Sequence, residues 1–176
     1  MLTVCTGNVC RSPAAAAGIM ALSDGSVAVA SAGTGAVVGA PVYEPMAALM
    51  TQAGLRVDGF VARQLTPAMI ERSDLVLTMT TQHRAWVVGR VPAAVRRTFT
   101  LLEFARLARL VDVDNQASTA ERLRHMVAAV PTARAQLGVS ALAGTDTDVP
   151  DPYGLGADAY ELAFTLIQGA VGDILG

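Results

Sequence analysis

The sequence predicts a three-layer α/β fold, a four-stranded parallel sheet flanked by helices, on three observations. Short apolar runs suited to buried strands recur at about residues 2–4, 26–30, 75–79 and 98–102, separated by stretches with helical spacing of apolar side chains. Such alternation implies parallel pairing, with helices covering both faces of the sheet. The first run also passes directly into a turn-rich loop and then a helix, which puts residue 5 beyond the carboxyl end of a strand, where ligands of open α/β sheets sit.

Each element has its own signal. Leu2 to Val4 is the first strand, and Pro13 opens a helix over about 13–22. A second strand over 26–30 leads into a glycine-rich loop over 31–45. Residues 44–53 read as a helix closed by Gly54, and Thr66-Pro67 supplies an N-cap and first-turn proline for a short helix. The third strand is 75–79, followed by a helix over about 81–89 and a fourth strand over 98–102. Residues 158–175 form a closing amphipathic helix. Between them, 103–149 contains a capping-box sequence, Ser118-Thr119-Ala120-Glu121, followed by Leu123, Met126, Val127 and Val130 at helical spacing. Residues 138–149 read as a mobile loop running into Asp151, a segment that gates that residue or is a tolerated surface excursion.

The chemistry concentrates in Cys5-Thr6-Gly7-Asn8-Val9-Cys10-Arg11-Ser12. Five residues between a cysteine and an arginine let one loop wrap a tetrahedral oxyanion, and the unpaired amides and dipole of the following helix favour negative charge there. The same field favours a thiolate, so Cys5 is the candidate nucleophile. Arg11 presents a permanently charged fork able to grip two phosphoryl oxygens, and Asn8 tolerates a positive φ inside the loop. Far along the chain, Pro150-Asp151-Pro152-Tyr153-Gly154 reads as a rigid surface loop that presents one carboxyl group. Thiolate attack on a phosphate ester needs an acid for the leaving oxygen and then a base for water, and Asp151 can be both.

Composition narrows the setting. A chain of 176 residues suits one domain, here 1–176 with a longer insertion at about 103–149. Net charge of −2 gives no footprint for nucleic acid, and the thirteen basic residues, all arginine, are scattered rather than clustered. Two cysteines within the first ten residues do not make a secreted disulfide framework. The start of the chain already belongs to the strand and loop, and no apolar stretch is long enough to span a bilayer. The expectation is a cytoplasmic, monomeric protein without membrane or nucleic-acid partners.

Cys-x-x-Gly-Asn-x-Cys-Arg-Ser-Pro at the start and Asp-Pro-Tyr near the end resemble the two signatures of low-molecular-weight protein tyrosine phosphatases. Ser31-Ala32-Gly33, Ala62-Arg63-Gln64-Leu65 and Asp74-Leu75-Val76-Leu77-Thr78-Met79 also resemble that family, in order. The resemblance implies a phosphatase loop at the end of the first strand and a reaction without metal or cofactor. Cys5 would attack, Arg11 would bind the phosphoryl group, Ser12 would donate a hydrogen bond to the thiolate, and Asp151 would be acid and then base. Thr6, Gly7, Asn8, Val9, Cys10 and Ser12 would line the phosphate site, and Tyr153 reads as a wall for an aromatic leaving group or as a hydrophobic latch. The branch it most resembles is bacterial and tied to capsule and exopolysaccharide regulation, which implies a phosphotyrosine protein, such as a bacterial tyrosine kinase, as partner.

Departures from the family pattern bear on substrate. The 35–39 stretch, Gly-Ala-Val-Val-Gly, lacks the usual aromatic wall and implies a more open pocket. Phe60 stands where a histidine often supports the Asn and Ser network, implying a less rigid loop, and Ala14 to Ala17 replace an acidic residue. The first strand starts closer to Met1 than the family pattern does, leaving room for residues upstream. Arsenate reductases share the loop but need further cysteines that this chain lacks. Protein-arginine phosphatases carry threonine at the position of Val9, and a phosphate-binding protein that has lost turnover is a third reading. Other residues take plainer readings: Arg63 as an ion-pair partner of Asp74, His83 and His125 as surface residues, Trp86 as core. Cys10 is either a packed thiol or a reversible disulfide partner of Cys5.

Overall fold

The computed structural model describes residues 1–114, 116–142 and 146–176, with backbone alone at 136–142. Its strands are β1 (Leu2–Cys5), β2 (Ala30–Gly33), β3 (Val76–Thr78) and β4 (Thr98–Thr100). Its α-helices are α1 (Arg11–Leu22), α2 (Glu44–Gln52), α3 (Pro67–Glu71), α4 (Thr81–Arg90), α5 (Leu101–Ala108), α6 (Thr119–Leu142) and α7 (Ala157–Leu175), with a 3-10 turn at Pro92–Arg97. The sheet is parallel throughout, in the order β2-β1-β3-β4. The predicted fold class is the observed one.

Strand alternation explains the two layers. Leu2, Val4 and Val76 point to one face, where they pack with Ile70, Val87 and Ala94 from α3, α4 and the 3-10 turn. Cys5 and Leu77 point to the other, into a larger core with Ile19, Phe104, Tyr160 and Ile167 from α1, α5 and α7. The alanine run of α1 acquires a packing reason here. Ala14 to Ala17 are buried, Gln168 of α7 donates to the Ala14 carbonyl at 3.2 Å, and a methyl on Gly18 would run into the Gln168 side chain.

Two boundaries differ from the sequence expectation. The second strand lies at Ala30–Gly33 rather than 26–30, because pairing with β1 runs from Leu2↔Ala30 to Cys5↔Gly33. Asp24 instead turns the preceding segment, accepting from the amide and hydroxyl of Ser26 and from the Thr119 amide. The fourth strand ends at Thr100, whose hydroxyl accepts the Glu103 amide at 3.3 Å and so starts α5, a helix the apolar pattern did not reveal.

Within 103–149, the capping box at Ser118 is present: its amide and hydroxyl both donate to the Glu121 carboxylate, and the Glu121 amide donates to Ser118 Oγ. The helix that follows extends to Leu142, so 138–142 is helical rather than loop, while 143–145 lie outside the described residues. Leu123, Met126 and Val130 are buried, and Arg134 reaches the buried Glu103 carboxylate at 2.5 Å.

Candidate active site

β1 delivers Cys5 to the floor of the loop, 2% exposed, and α1 begins six residues later at Arg11. Ser12 Oγ lies 3.0 Å from Cys5 Sγ and accepts from Asn8 Nδ2 at 2.9 Å, so the serine's own hydrogen is left for the sulfur. The Asn8 amide N–H also points at Sγ, at 3.3 Å. Asn8 has φ 56°, as the sequence suggested. Its side chain is fully engaged: Nδ2 also donates to Ser31 Oγ at 2.9 Å, and Oδ1 accepts from the Arg63 amide at 2.9 Å. This corrects the looser loop expected from Phe60, since Ser31 and Arg63 hold Asn8 without a histidine at that position.

The cradle follows from which way the peptides face. The carbonyls of Cys5, Thr6, Gly7 and Val9 point outward to the amides of Thr34, Gly35, Val37 and Tyr43, at 2.9, 3.1, 3.0 and 2.7 Å. In a trans peptide the next N–H points the opposite way, so the amides of Thr6, Gly7, Asn8 and Cys10 converge inward. Close approach at Gly33 makes this possible: a Cβ there would collide with the Thr6 carbonyl and lie 3.0 Å from the Asn8 amide nitrogen. Gly33→Ala therefore displaces the loop backbone. Its phosphatase turnover is expected to fall by about 100-fold, the usual effect of misplacing a reacting group by roughly 1 Å, while steady-state kinetics and far-UV CD together separate this from unfolding.

Arg11 is 3% exposed, donates through Nη1 to the Val149 carbonyl at 3.1 Å and through Nη2 to Asp151, and leaves Nε buried without a partner among the described residues. Asp151 stands half exposed at the mouth. Its loop is clasped from two sides: the Val149 amide donates to the Met79 carbonyl at 2.8 Å, and Asp148 accepts from the amide and hydroxyl of Thr81 at 2.7 and 3.1 Å. The resulting cleft, about 210 Å³, is lined among others by Cys5, Thr6, Val9, Cys10, Val37 and Tyr153. One wall is aliphatic, as the missing aromatic implied. The other is aromatic: exposed Tyr153 sits 5.3 Å from Tyr43, which stacks in turn on buried Tyr160.

Three residues, Arg63, Trp86 and His83, differ from their sequence readings, and Cys10 stands as the packed thiol, one of its two readings. Arg63 donates through Nε to the Ser31 carbonyl at 2.8 Å and has no ion pair with Asp74 among the described residues. Trp86 is only partly buried, with the Arg90 guanidinium 4.5 Å above its ring. Cys10 is a buried free thiol pushed up to about 12, chiefly by burial and then by the neighbouring Cys5, so it is protonated at neutral pH. His83 is buried rather than superficial, and bonds both Thr6 and Thr80. His125 is exposed, as expected.

Burial of His83, reinforced by the nearby Arg11 charge and opposed by Asp151 and Asp148, pushes it down to about 4. The unfolded chain therefore binds a proton there that the native chain refuses, and stability falls as pH drops from 6.5 toward 4. The loss is expected to be on the order of 2–3 kcal/mol, read as a steeper acid slope in urea unfolding than His83→Asn shows. Equal slopes in the two proteins would contradict it.

Comparison with known proteins places the site in a family. The profile of low molecular weight phosphotyrosine protein phosphatases matches residues 1–143. The chain belongs to that family. A probable low molecular weight protein-tyrosine-phosphatase, EpsP of Ralstonia nicotianae, is 37% identical over 103 residues, 58% of this chain and 70% of that protein. The low molecular weight protein-tyrosine-phosphatase Wzb of Salmonella typhi is 27% identical over 168 residues, 96% of this chain and 86% of that one. Among solved structures, the YwlE arginine phosphatase of Geobacillus stearothermophilus superposes with a TM-score of 0.72 at 27% identity, covering 99% of this chain and 88% of that one. The loop from Cys5 to Ser12 and the stretch from Pro150 to Gly154 meet at the Arg11 and Asp151 ion pair. Among the described residues no group of three or more His, Cys, Asp and Glu side chains is arranged to hold a metal ion, and no helix is long and apolar enough to cross a membrane.

Proposed function

We propose that the chain hydrolyses phosphotyrosine in proteins through a phosphocysteine intermediate on Cys5. The observation that carries this is the convergence, in one cleft, of Cys5 Sγ, inward amides, the unpartnered Arg11 Nε and the Asp151 carboxylate. The oxygens of a phosphoryl group seated there accept hydrogen bonds from the amides of Thr6, Gly7, Asn8 and Cys10 and from Arg11, whose Nη2 exchanges Asp151 for phosphate. Asp151 is thereby released toward the ester oxygen, and its carboxylate, no longer paired with Arg11, takes up a proton from solvent.

Cys5 sulfur attacks phosphorus as the phosphorus to phenolic oxygen bond breaks, and the Asp151 carboxyl proton goes to the departing oxygen. Water then attacks phosphorus, its proton returns to the Asp151 carboxylate, and the sulfur leaves as thiolate with Ser12 Oγ and the Asn8 amide donating to it. Tyr153 flanks the phenol ring. No cofactor or metal enters these steps. The substrate is a phosphotyrosine protein, such as a bacterial tyrosine kinase, met in the cytoplasm by a monomeric enzyme. The likeness to EpsP and Wzb supports this reading.

The structural likeness to YwlE favours phosphoarginine as the second reading. Val9 argues against it, because this buried side chain offers a guanidinium no polar atom where arginine phosphatases carry threonine. Steady-state hydrolysis of matched phosphotyrosine and phosphoarginine peptides, with chelator present, decides. The expected result is chelator-resistant turnover favouring phosphotyrosine by at least about tenfold in kcat/KM, roughly 1.4 kcal/mol. A phosphoarginine preference would move the chain to the sister activity.

A further inference from the structure

Outside the reacting groups, one polar chain through the buried His83 joins the two halves of the site. His83 on α4 places Nε2 2.9 Å from Thr6 Oγ1, the residue after the nucleophile, and Nδ1 2.8 Å from Thr80 Oγ1. Thr80 Oγ1 also accepts the His83 amide at 3.2 Å, since it caps α4. This bond favours one direction for the whole chain. If Nδ1 carried the imidazole hydrogen, Thr80 Oγ1 would accept twice and its own hydrogen would have no acceptor among the described residues. With the hydrogen on Nε2, Thr80 donates to Nδ1 and Nε2 donates to Thr6, so every atom is satisfied. Thr6 then has its hydroxyl hydrogen free, and Thr6 lines the cleft over Cys5.

The other end of the chain reaches the acid loop. Thr80 lies between Met79, whose carbonyl holds the Val149 amide, and Thr81, whose amide and hydroxyl hold Asp148. We propose that His83 is a positioning residue that sets the Thr6 hydroxyl as a hydrogen-bond donor to the phosphoryl group and ties the phosphate loop to the turn that carries the Asp151 loop. This rests on the phosphatase reading above, since it assigns Thr6 a phosphoryl oxygen as acceptor. A neutral, single-tautomer imidazole suits the role because it never competes with Arg11 for the substrate's charge.

The relay makes a specific demand on substitutions. Glutamine at 83 can place an amide nitrogen near the position of Nε2 and so still donate to Thr6, whereas asparagine reaches only the Nδ1 position. The test is kcat and KM for aryl phosphate hydrolysis in His83→Ala, His83→Asn, His83→Gln, Thr6→Val and the double variant Thr6→Val/His83→Ala, with Cys5→Ser as reference. Loss of one positioned donor is expected to lower kcat about tenfold in His83→Ala, His83→Asn and Thr6→Val, with His83→Gln within about threefold of the parent. The double variant should be no slower than His83→Ala alone, because both changes remove one hydrogen bond. Thr6→Val tests the bond from its exposed end without opening the core, so misfolding of the His83 variants does not decide the outcome. Parental kcat in Thr6→Val, additive losses in the double variant, or equal activity of the Asn and Gln variants would overturn the relay and leave the phosphatase reading standing. Turnover surviving in Cys5→Ser would instead overturn that reading.

Discussion

Cys5→Ser is expected to reduce turnover to the uncatalysed background, a loss of at least about four orders of magnitude, with phosphopeptide affinity within a few-fold of the parent. The asymmetry follows from the geometry. Binding draws on the inward amides and the Arg11 fork, none of which the substitution touches, and the fold already holds the loop through the Thr34, Gly35, Val37 and Tyr43 amides and Arg11 through the Val149 carbonyl. Chemistry draws on a sulfur nucleophile at which two groups point, Ser12 Oγ and the Asn8 amide. A serine hydroxyl in the same place is a far weaker nucleophile than a thiolate. Stopped assays and equilibrium binding of a phosphotyrosine peptide check both halves, and loss of binding along with turnover would mean that Cys5 is structural.

Asp151→Asn is expected to slow hydrolysis of a phosphotyrosine peptide by about two orders of magnitude or more, and to slow an aryl phosphate with an acidic phenol much less. An amide cannot give the proton that tyrosine's phenoxide needs, but a phenol that leaves readily as an anion hardly needs it. Asparagine also removes the carboxylate that faces Arg11 in the ligand-free site, so phosphate affinity is expected to rise rather than fall. An equal loss with both leaving groups would assign Asp151 to binding instead of proton transfer.

Most of the reacting constellation was legible because it is local. Cys5 to Pro13 lies in one strand, loop and helix start, and residue chemistry alone says what such a loop can hold. Asp151 was legible from a proline-flanked carboxylate whose task the loop left open. What sequence pattern could not give was the support. Ser31, Arg63, Asp148 and His83 reach their partners across tens of residues, with separations of 23, 55, 67 and 77 along the chain; Ser31 and Arg63 lie in stretches that resemble the family without revealing their partner, and Asp148 and His83 carry no local signature. His83 in particular sat in a helix pattern among polar neighbours, where exposure is the default, and only the sheet order brings α4 beside the phosphate loop. The misplaced second strand has the same origin: residues 26–30 have the better strand composition, but β1 pairs with Ala30–Gly33, where Gly33 lets the loop close. A threonine cap at Thr100 followed three residues later by Glu103 was a visible signal for α5 that the apolar run through Leu102 concealed.

The most direct test of a phosphocysteine mechanism is to mix Asp151→Asn with an excess of an aryl phosphate whose phenol is acidic enough to leave without a proton, quench in acid within the first turnovers, and map the phosphorylated residue by mass spectrometry of the digested chain. The geometry predicts a phosphoryl group on Cys5, since attack is intact while the base that would activate water has been removed. Phosphate on no residue of a variant that still turns over, or on any residue other than Cys5, would contradict it.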